Sequence, residues 1–129
     1  MVVSPGVPSD AEVIRNAKQK NLKVISELEF ASSFCKGNVI GITGTNGKTT
    51  TTSLCGYLFN ECGKKSFVAG NIGLAFSEIA TEVNENECVS LEISSFQLDL
   101  IDKFKPKVAM ILNITPDHLN RYENSIEKY

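Results

Sequence analysis

Residues 41–50 read GITGTNGKTT and place three glycines immediately before a lysine and two threonines. Glycines let the backbone turn so that several N–H groups point inward, and a helix that begins there adds a partial positive charge. The Lys48 ammonium can bridge phosphate oxygens, and the Thr49 hydroxyl can hold Mg²⁺. This combination is typical of a loop that binds the phosphates of a nucleotide.

The loop is a variant of the phosphate-binding pattern G-x-x-x-x-G-K-[ST], because position 42 is isoleucine where the pattern requires glycine. Residues 39–43 are rich in β-branched side chains and predict a strand, whereas residues 49–61 predict a helix. A glycine turn that only connects this strand to this helix is the alternative. The preceding strand and the G-K-T ending favour phosphate binding.

Strands and helices alternate along the rest of the chain. Besides the possible end of a strand at Val2 and Val3, strands are predicted at residues 22–25, 39–43, 67–69, 88–93 and 108–113. The last of these is fully apolar and is expected to be buried. Helices are predicted at residues 27–34, 49–61, 74–83 and 95–103, and the capping-box spacing of Ser9 and Glu12 predicts another that runs to about Lys20. The alternation predicts an α/β fold with a mostly parallel, P-loop-type sheet flanked by helices.

The helix after the glycine loop has an uneven pattern of side chains. Leu54, Leu58 and Cys62 share one face, which predicts an apolar stripe. Cys55 and Cys62 are expected to behave as small buried apolar residues. Gly56 inside the helix costs about 1 kcal/mol relative to alanine, and close packing of the helix on the sheet is a sufficient reason for it.

Composition excludes several classes of protein. The chain has 129 residues, 42% of them hydrophobic and 22% charged, which suits one globular domain with a real core. A net charge of −2 gives no sign of a nucleic-acid or acidic-membrane partner. The longest apolar stretch, residues 108–112, is too short to span a bilayer, and no signal peptide is predicted. The cysteines have neither C-x-x-C nor metal-site spacing, so a reducing cytosol is the simplest compartment.

Both ends of the chain suggest a piece of a longer protein. Tyr122, Ile126 and Tyr129 keep helical spacing up to the last residue without a capping signal. The N-terminus likewise enters near the end of a strand. We therefore expect further sequence on both sides.

Four ordered stretches resemble the Mur ligase family, and the first also resembles the related folylpolyglutamate synthases. They read GTNGKTT at residues 44–50, GNIG at 70–73, LEISSFQL at 91–98 and ILNITPDHLNRY at 111–122. The opening SPGVP at residues 4–8 is similar to a family loop at the end of the first domain. The resemblance covers nearly the whole chain.

The resemblance implies a three-domain cytoplasmic enzyme of peptidoglycan synthesis, and hence of cell-wall biogenesis, cell shape and cell division. ATP phosphorylates the carboxylate of UDP-N-acetylmuramoyl-L-alanine, and the amine of D-glutamate attacks the acyl phosphate to form an amide. ATP and Mg²⁺ are the implied cofactors of a monomeric enzyme, without nucleic acid and without membrane insertion. Residues 1–36 would be the tail of the N-terminal UDP-binding domain with a linker, and residues 37–129 the N-terminal part of the central ATP-binding domain.

The resemblance also implies residue roles. The ATP-binding residues are Gly44, Thr45, Asn46, Gly47, Lys48, Thr49 and Thr50. The catalytic residues are Lys48 and His118, and the metal ligands are Thr49, Glu92 and His118. The substrate-binding residues are Ser4, Gly6, Asn71, Ser94 and Gln97. A family lysine and the third domain would lie beyond Tyr129, so this chain alone is expected to bind Mg-nucleotide weakly and to form no amide.

Several of these roles have a plainer alternative. Glu92 is compatible with a surface position near a strand end, and a lone histidine such as His118 is more often structural. Gln97 is compatible with a bond to the backbone alone. Tight turns are the alternative for Asn71 and for the segment that contains Ser4 and Gly6.

Two other functions are compatible with the sequence. One is a different Mur or folylpolyglutamate-type ligase. The other is a non-catalytic P-loop module that binds nucleotide for regulation or assembly. Glu92 together with His118 favours a ligase, because a nucleotide switch has no need of a second metal site beside an acyl acceptor.

Overall fold

The computed structural model describes residues 1–8, 10–117, 119, 122–123 and 125–127. The strands are β1 (Val2–Val3), β2 (Ile25–Ser26), β3 (Asn38–Thr43), β4 (Ser66–Gly70), β5 (Cys88–Glu92) and β6 (Val108–Ile111). The helices are α1 (Glu12–Gln19), α2 (Glu27–Ser32), α3 (Lys48–Glu61) and α4 (Phe76–Ile79), with a 3₁₀ turn at Ser95–Gln97. Among the described helices, none combines the length and apolar character that a bilayer crossing needs.

The main sheet has four parallel strands in the order β4-β5-β3-β6. β1 and β2 form a separate two-stranded parallel sheet. In the main sheet Ile42 lies opposite Glu92, and Gly70 lies opposite Glu92 on the other side. All four strands therefore end at the same edge, where ligands bind in sheets of this kind. The predicted parallel α/β sheet flanked by helices is confirmed.

The two faces of the sheet bury different side chains because successive residues of a strand point to opposite sides. On β5, Val89 and Leu91 pack in a core that includes Leu28 of α2 and Phe76 of α4. The opposite face carries Ser90, whose Oγ donates a hydrogen bond of 2.8 Å to the carbonyl of Thr52 on α3. The sheet is thus covered by α2 and α4 on one face and by α3 on the other.

Helix α3 reaches the sheet through its small residues. Gly56 is buried, and a Cβ placed there would lie 2.4 Å from Cγ2 of Val68. This contact confirms close packing as the reason for the glycine. The predicted apolar stripe is wrong as a buried face, because Leu54 and Leu58 are 53% and 50% exposed and Cys62 is exposed. The face of α3 that packs on β4 and β5 carries its buried small residues, Thr52 and Gly56.

Strand β6 is not the buried strand that its apolar sequence predicts. Val108 is 48% exposed and Ile111 is 67% exposed. The reason is position, because β6 pairs with β3 on one side and with no strand of the described ranges on the other.

A regular helix over residues 95–103 is also wrong, since only the 3₁₀ turn Ser95–Gln97 forms. The backbone N–H groups of Asp102, Lys103 and Phe104 donate to the carboxylate of Glu29 on α2. Those donors are therefore not available for the carbonyls four residues earlier, as an α-helix would require.

The remaining elements differ from the prediction mainly at their ends. α4 is shorter than predicted, because Leu74 accepts from the Gly70 N–H and bridges Ala69 before the helix begins. α1 begins after Ala11 without a side-chain cap, and Ser9 lies outside the described residues. β2 starts only at Ile25, which pairs with Val2. The predicted C-terminal helix is not formed at residues 122–123 and 125–127, and Tyr129 lies outside the described ranges.

Candidate active site

The glycine loop connects the end of β3 to the start of α3. Gly44 and Gly47 have φ angles of 136° and 84°, which side-chain-bearing residues rarely adopt. A Cβ on Gly44 would also lie 3.0 Å from the carbonyl oxygen of Asn113. Gly47 is the N-cap of α3, so the loop ends directly at the N-terminus of this helix, where the helix dipole is positive. This is the geometry that the sequence predicts for phosphate binding.

The chain that follows β6 fixes the loop in place. The Thr45 N–H donates to the Asn113 carbonyl over 3.0 Å, and the Thr45 hydroxyl bonds both the N–H and the carbonyl of Thr115. The Asn113 side chain accepts from the Asn46 N–H and donates to the Asn46 carbonyl, each over 2.9 Å. Thr45 and Asn46 thus have clear structural roles in shaping the loop. Sequence reasoning assigned no role to Asn113 or Thr115, although both lie in the ILNITPDHLNRY stretch that resembles the family.

The Lys48 ammonium lies against the loop itself. Its Nζ donates to the carbonyl of Gly44 over 2.7 Å and to the carbonyl of Thr45 over 2.9 Å. A lysine at this point carries a positive charge beside the inward-facing backbone of the loop. Phosphate oxygens are stronger acceptors than carbonyls and are suited to replace these two bonds.

Glu92, Thr49 and Asn71 meet at the carboxyl edge of the sheet. The Glu92 side chain is at the end of β5, and the residue is only 2% exposed. Its Oε2 accepts from the Thr49 hydroxyl over 2.8 Å, and its Oε1 accepts from the Asn71 amide over 3.1 Å. Both partners are neutral, and no ion pair of Glu92 is found within the described part of the chain. A buried carboxylate beside a hydroxyl offers the hard oxygen ligands that Mg²⁺ takes.

Gly70 brings the Asn71 segment against β5. Its φ is 111°, and a Cβ there would lie 2.1 Å from the Glu92 carbonyl oxygen. The Asn71 N–H donates to that same carbonyl over 3.0 Å. The turn and the contact to Glu92 are therefore both present at Asn71. The sequence suggested the turn, but nothing in it indicated how close the two backbones come.

Three of the predicted substrate-binding residues line a second feature, a cleft of about 600 Å³ beside the 3₁₀ turn. Ser4 and Gly6 form one wall, and Gln97 belongs to the other. The Gln97 side-chain oxygen also accepts from the Ser94 N–H over 2.8 Å. Asn71 and Ser94 are not in the lining, so the predicted substrate residues fall into separate groups.

For two predicted site residues, Thr50 and His118, the described residues give no contact that bears on their predicted roles. Thr50 is exposed in the first turn of α3. His118 lies outside the described residues, so its metal role and catalytic role stay predictions. Within the described part of the chain, no group of three or more His, Cys, Asp or Glu side chains is placed to hold a metal.

Comparison with known proteins gives the family. Residues 42–129 match the Mur ligase middle domain. The chain is 48% identical over 134 residues to a protein of Salinibacter ruber named UDP-N-acetylmuramoylalanine--D-glutamate ligase, covering 100% of this chain and 29% of that protein. Proteins of the same name match from Koribacter versatilis (51% over 129 residues, 100% of this chain and 28% of the relative) and Geotalea daltonii (53% over 122 residues, 95% and 27%).

The chain thus spans less than a third of the length of these relatives. The matched residues include the glycine loop, the end of β5 and the segment after β6 that anchors the loop. On this match over most of its length, the chain belongs to the Mur ligase family.

Proposed function

We propose that the full-length protein is an ATP-dependent ligase that adds D-glutamate to UDP-N-acetylmuramoyl-L-alanine in cytoplasmic peptidoglycan synthesis. The observation that carries the proposal is the convergence of the glycine loop, Lys48 and the Thr49–Glu92 pair at one edge of the sheet. The names of relatives at 48–53% identity support the choice of substrates.

The loop and its surroundings fit the phosphates of ATP and a bound Mg²⁺. Gly44 and Gly47 have the positive φ angles that the turn of the loop requires and that side-chain-bearing residues rarely adopt. Thr49 and Glu92 would hold the metal, whose charge would offset the negative charge of the phosphates and of the substrate carboxylate. Lys48 would exchange its two carbonyl partners for phosphate oxygens.

The chemistry proceeds in two steps. A carboxylate oxygen of the substrate attacks the γ-phosphorus of ATP, the bond to the bridging oxygen breaks, and ADP leaves. The amine of D-glutamate then attacks the acyl carbon, loses a proton, and expels inorganic phosphate to give the amide. The protein would contribute mainly position and charge in the first step, with Lys48 and the backbone amides of the glycine loop as the groups that would hold the phosphates.

The cleft between Ser4, Gly6 and Gln97 would take part of the UDP-linked substrate. Gly6 belongs to the lining of the cleft and has a φ of 92°, a turn conformation that glycine adopts without strain. Asn71 would contact the same substrate from the metal side, since its amide already reaches Glu92. His118 would complete a second metal position near the substrate carboxylate.

We also propose the domain assignment. Residues 1–36 would be the tail of a UDP-binding domain with a linker, and residues 37–129 the first part of the ATP-binding domain. The parent enzyme would act as a monomer. This chain alone would form no amide, because a ligase of this kind needs the rest of both domains and a third.

The test is phosphate release by the full-length protein in the presence of Mg-ATP. Release that requires both UDP-N-acetylmuramoyl-L-alanine and D-glutamate is expected, and Lys48→Ala should lower kcat by about a hundredfold or more, the scale seen when a charge-stabilising group is removed. Lys36→Ala, which removes an exposed lysine just before β3, is the matched control and should leave kcat unchanged.

Each other result has a definite meaning. Release that requires a different amino acid would indicate another ligase of the family. ATP binding without any substrate-dependent release would indicate a nucleotide-binding module and would refute the ligase proposal.

A further inference from the structure

Glu29 is a buried carboxylate with an unusual set of partners. It lies on α2 and is 7% exposed. Three consecutive backbone N–H groups donate to it: Asp102 to Oε2 over 2.9 Å, Lys103 to both oxygens over 3.0 Å, and Phe104 to Oε2 over 2.8 Å. These bonds hold the pKa of Glu29 below its usual value, against the opposing effect of burial.

The same two segments are joined at other points. The Ser26 N–H, just before α2, donates to the Leu100 carbonyl over 3.0 Å. The Ser26 hydroxyl accepts from the Glu29 N–H over 3.1 Å and so caps the helix. Lys23 also pairs with Asp102, but both side chains are more than half exposed and the pair is expected to stabilise little. The buried Glu29 carboxylate therefore accepts most of the described hydrogen bonds that join the α2 region to residues 100–104.

This link lies next to the lining of the cleft of about 600 Å³, because Leu28 and Leu100 both belong to that lining. The cleft has Ser4 and Gly6 on one wall and Gln97 and Leu100 on the other, with Leu28 of α2 also in its lining. Glu29 itself is not in the lining. Its bonds hold the chain two residues after Leu100 to α2, and α2 follows directly on β2, whose partner β1 ends one residue before Ser4. They therefore fix the wall that carries Gln97 relative to the wall that carries Ser4.

We propose that Glu29 is a positioning residue that sets the width of the cleft for the UDP-linked substrate. The inference rests on the proposed function and deepens it, because it assigns the affinity for one substrate to a residue outside the site. Glu29 touches no reacting atom.

The role requires a carboxylate, not merely a side chain of this size. Three N–H donors converge on Glu29, and a carboxylate is acceptor-only with two oxygens. Glutamine keeps the shape but replaces one oxygen with an NH₂ group. This NH₂ group is itself a donor, so it cannot accept the hydrogen bonds that the lost oxygen accepted. Aspartate keeps the charge but is one methylene shorter, so it would reach fewer of the three.

The test uses the full-length protein with Glu29→Gln, Glu29→Asp and a matched control, Glu27→Gln. Glu27 lies on the same helix and its Oε1 accepts from the Ser77 N–H over 2.7 Å. The control thus makes the same charge change and also weakens one backbone bond, but that bond leads to α4, none of whose residues lines the cleft.

Glu29→Gln is expected to raise the KM for UDP-N-acetylmuramoyl-L-alanine about tenfold, which corresponds to about 1.4 kcal/mol, and to leave the KM for ATP within about twofold. Glu29→Asp should give a smaller rise in the same KM. Glu27→Gln should leave both KM values within about twofold. A residue with only a structural role would lower the fraction of active enzyme, and hence kcat, without separating the two KM values.

Calorimetric titration with the nucleotide sugar gives a second readout that does not depend on turnover. Wild-type protein that binds the sugar with an affinity unchanged by either Glu29 variant would overturn the inference and leave the proposed function intact. If Glu29→Gln does not fold, the Glu29→Asp result decides. Wild-type protein that neither binds nor consumes the sugar would refute the proposed function, and with it this inference.

Discussion

The Thr49 hydroxyl donates a hydrogen bond of 2.8 Å to Oε2 of Glu92 and so joins the N-terminus of α3 to the end of β5. The other carboxylate oxygen of Glu92 accepts from Asn71, on the turn that follows β4. The buried Glu92 side chain thus connects the start of α3, just after the glycine loop, to the Asn71 segment, which is proposed to contact the sugar substrate. A ligand that breaks the hydrogen bond between Glu92 and Thr49 by moving the carboxylate is expected to change the hydrogen bond between Glu92 and Asn71 as well.

The first prediction concerns the metal. Glu92→Gln removes the carboxylate charge at nearly constant size, so Mg²⁺ loses its only charged protein ligand proposed among the described residues. The Mg²⁺ concentration for half-maximal turnover of the full-length protein should rise about tenfold or more. Glu87→Gln, just before the other end of the same strand, should leave it unchanged. An unchanged value in Glu92→Gln would exclude Glu92 as a metal ligand.

The second prediction compares two glycines with positive φ. Gly70→Ala should cost more than about 3 kcal/mol, because its Cβ would lie 2.1 Å from the Glu92 carbonyl oxygen in addition to the strain of φ 111°. Gly63→Ala, at φ 72° with nothing within 4 Å, should cost about 1 kcal/mol. Denaturant unfolding of the two variants measures the difference. Equal losses would contradict the close approach of Asn71 to β5.

The third prediction concerns the contact between α3 and β4. Gly56→Ala should destabilise by about 1 kcal/mol, because overlap with Val68 outweighs the gain of about 1 kcal/mol in helix propensity. Removing the overlapping methyl groups with Val68→Ala should reverse the sign of the Gly56→Ala effect in a double-mutant cycle. Additive effects in that cycle would mean that the two residues do not touch.

The fourth prediction is a pH dependence of stability. The pKa of Glu29 is lowered in the folded state, chiefly by the Asp102 N–H, from an ordinary value of 4.5. The folded protein therefore binds fewer protons than the unfolded chain as the pH falls below 4.5, and the stabilisation by Glu29 is lost there. The difference in melting temperature between wild type and Glu29→Gln should be full at pH 6 to 7 and shrink below pH 4.5. A difference that stays constant down to pH 3 would contradict this origin.

The alternation of strands and helices was enough to predict the parallel sheet, because it reflects local patterns that tertiary structure did not override. The place of the glycine loop between a strand and a helix, and the strand-end position of Glu92, were predictable for the same reason. The bonds from Asn113 to the loop were not, since they depend on β6 lying next to β3, a pairing that no local pattern specifies.

Contacts between residues distant in sequence account for most of the differences between the predicted and the observed structure. Glu29 binds backbone more than 70 residues away and thereby prevents a regular helix after the 3₁₀ turn. The prediction that β6 is buried was wrong because no strand of the described residues pairs with its other side, and an apolar sequence does not reveal how many neighbours a strand has. The apolar stripe on α3 was wrong because Gly56, and not Leu58, faces the sheet.

The most direct test of the nucleotide site is a crystal structure of the full-length protein with Mg²⁺ and a non-hydrolysable ATP analogue. We expect the terminal phosphates to accept hydrogen bonds from backbone N–H groups of residues 44–49, with the metal bound to the Thr49 hydroxyl. Lys48 Nζ should leave the carbonyls of Gly44 and Thr45 and contact phosphate. Analogue bound elsewhere, with the loop empty and both Lys48 bonds intact, would contradict the proposed site.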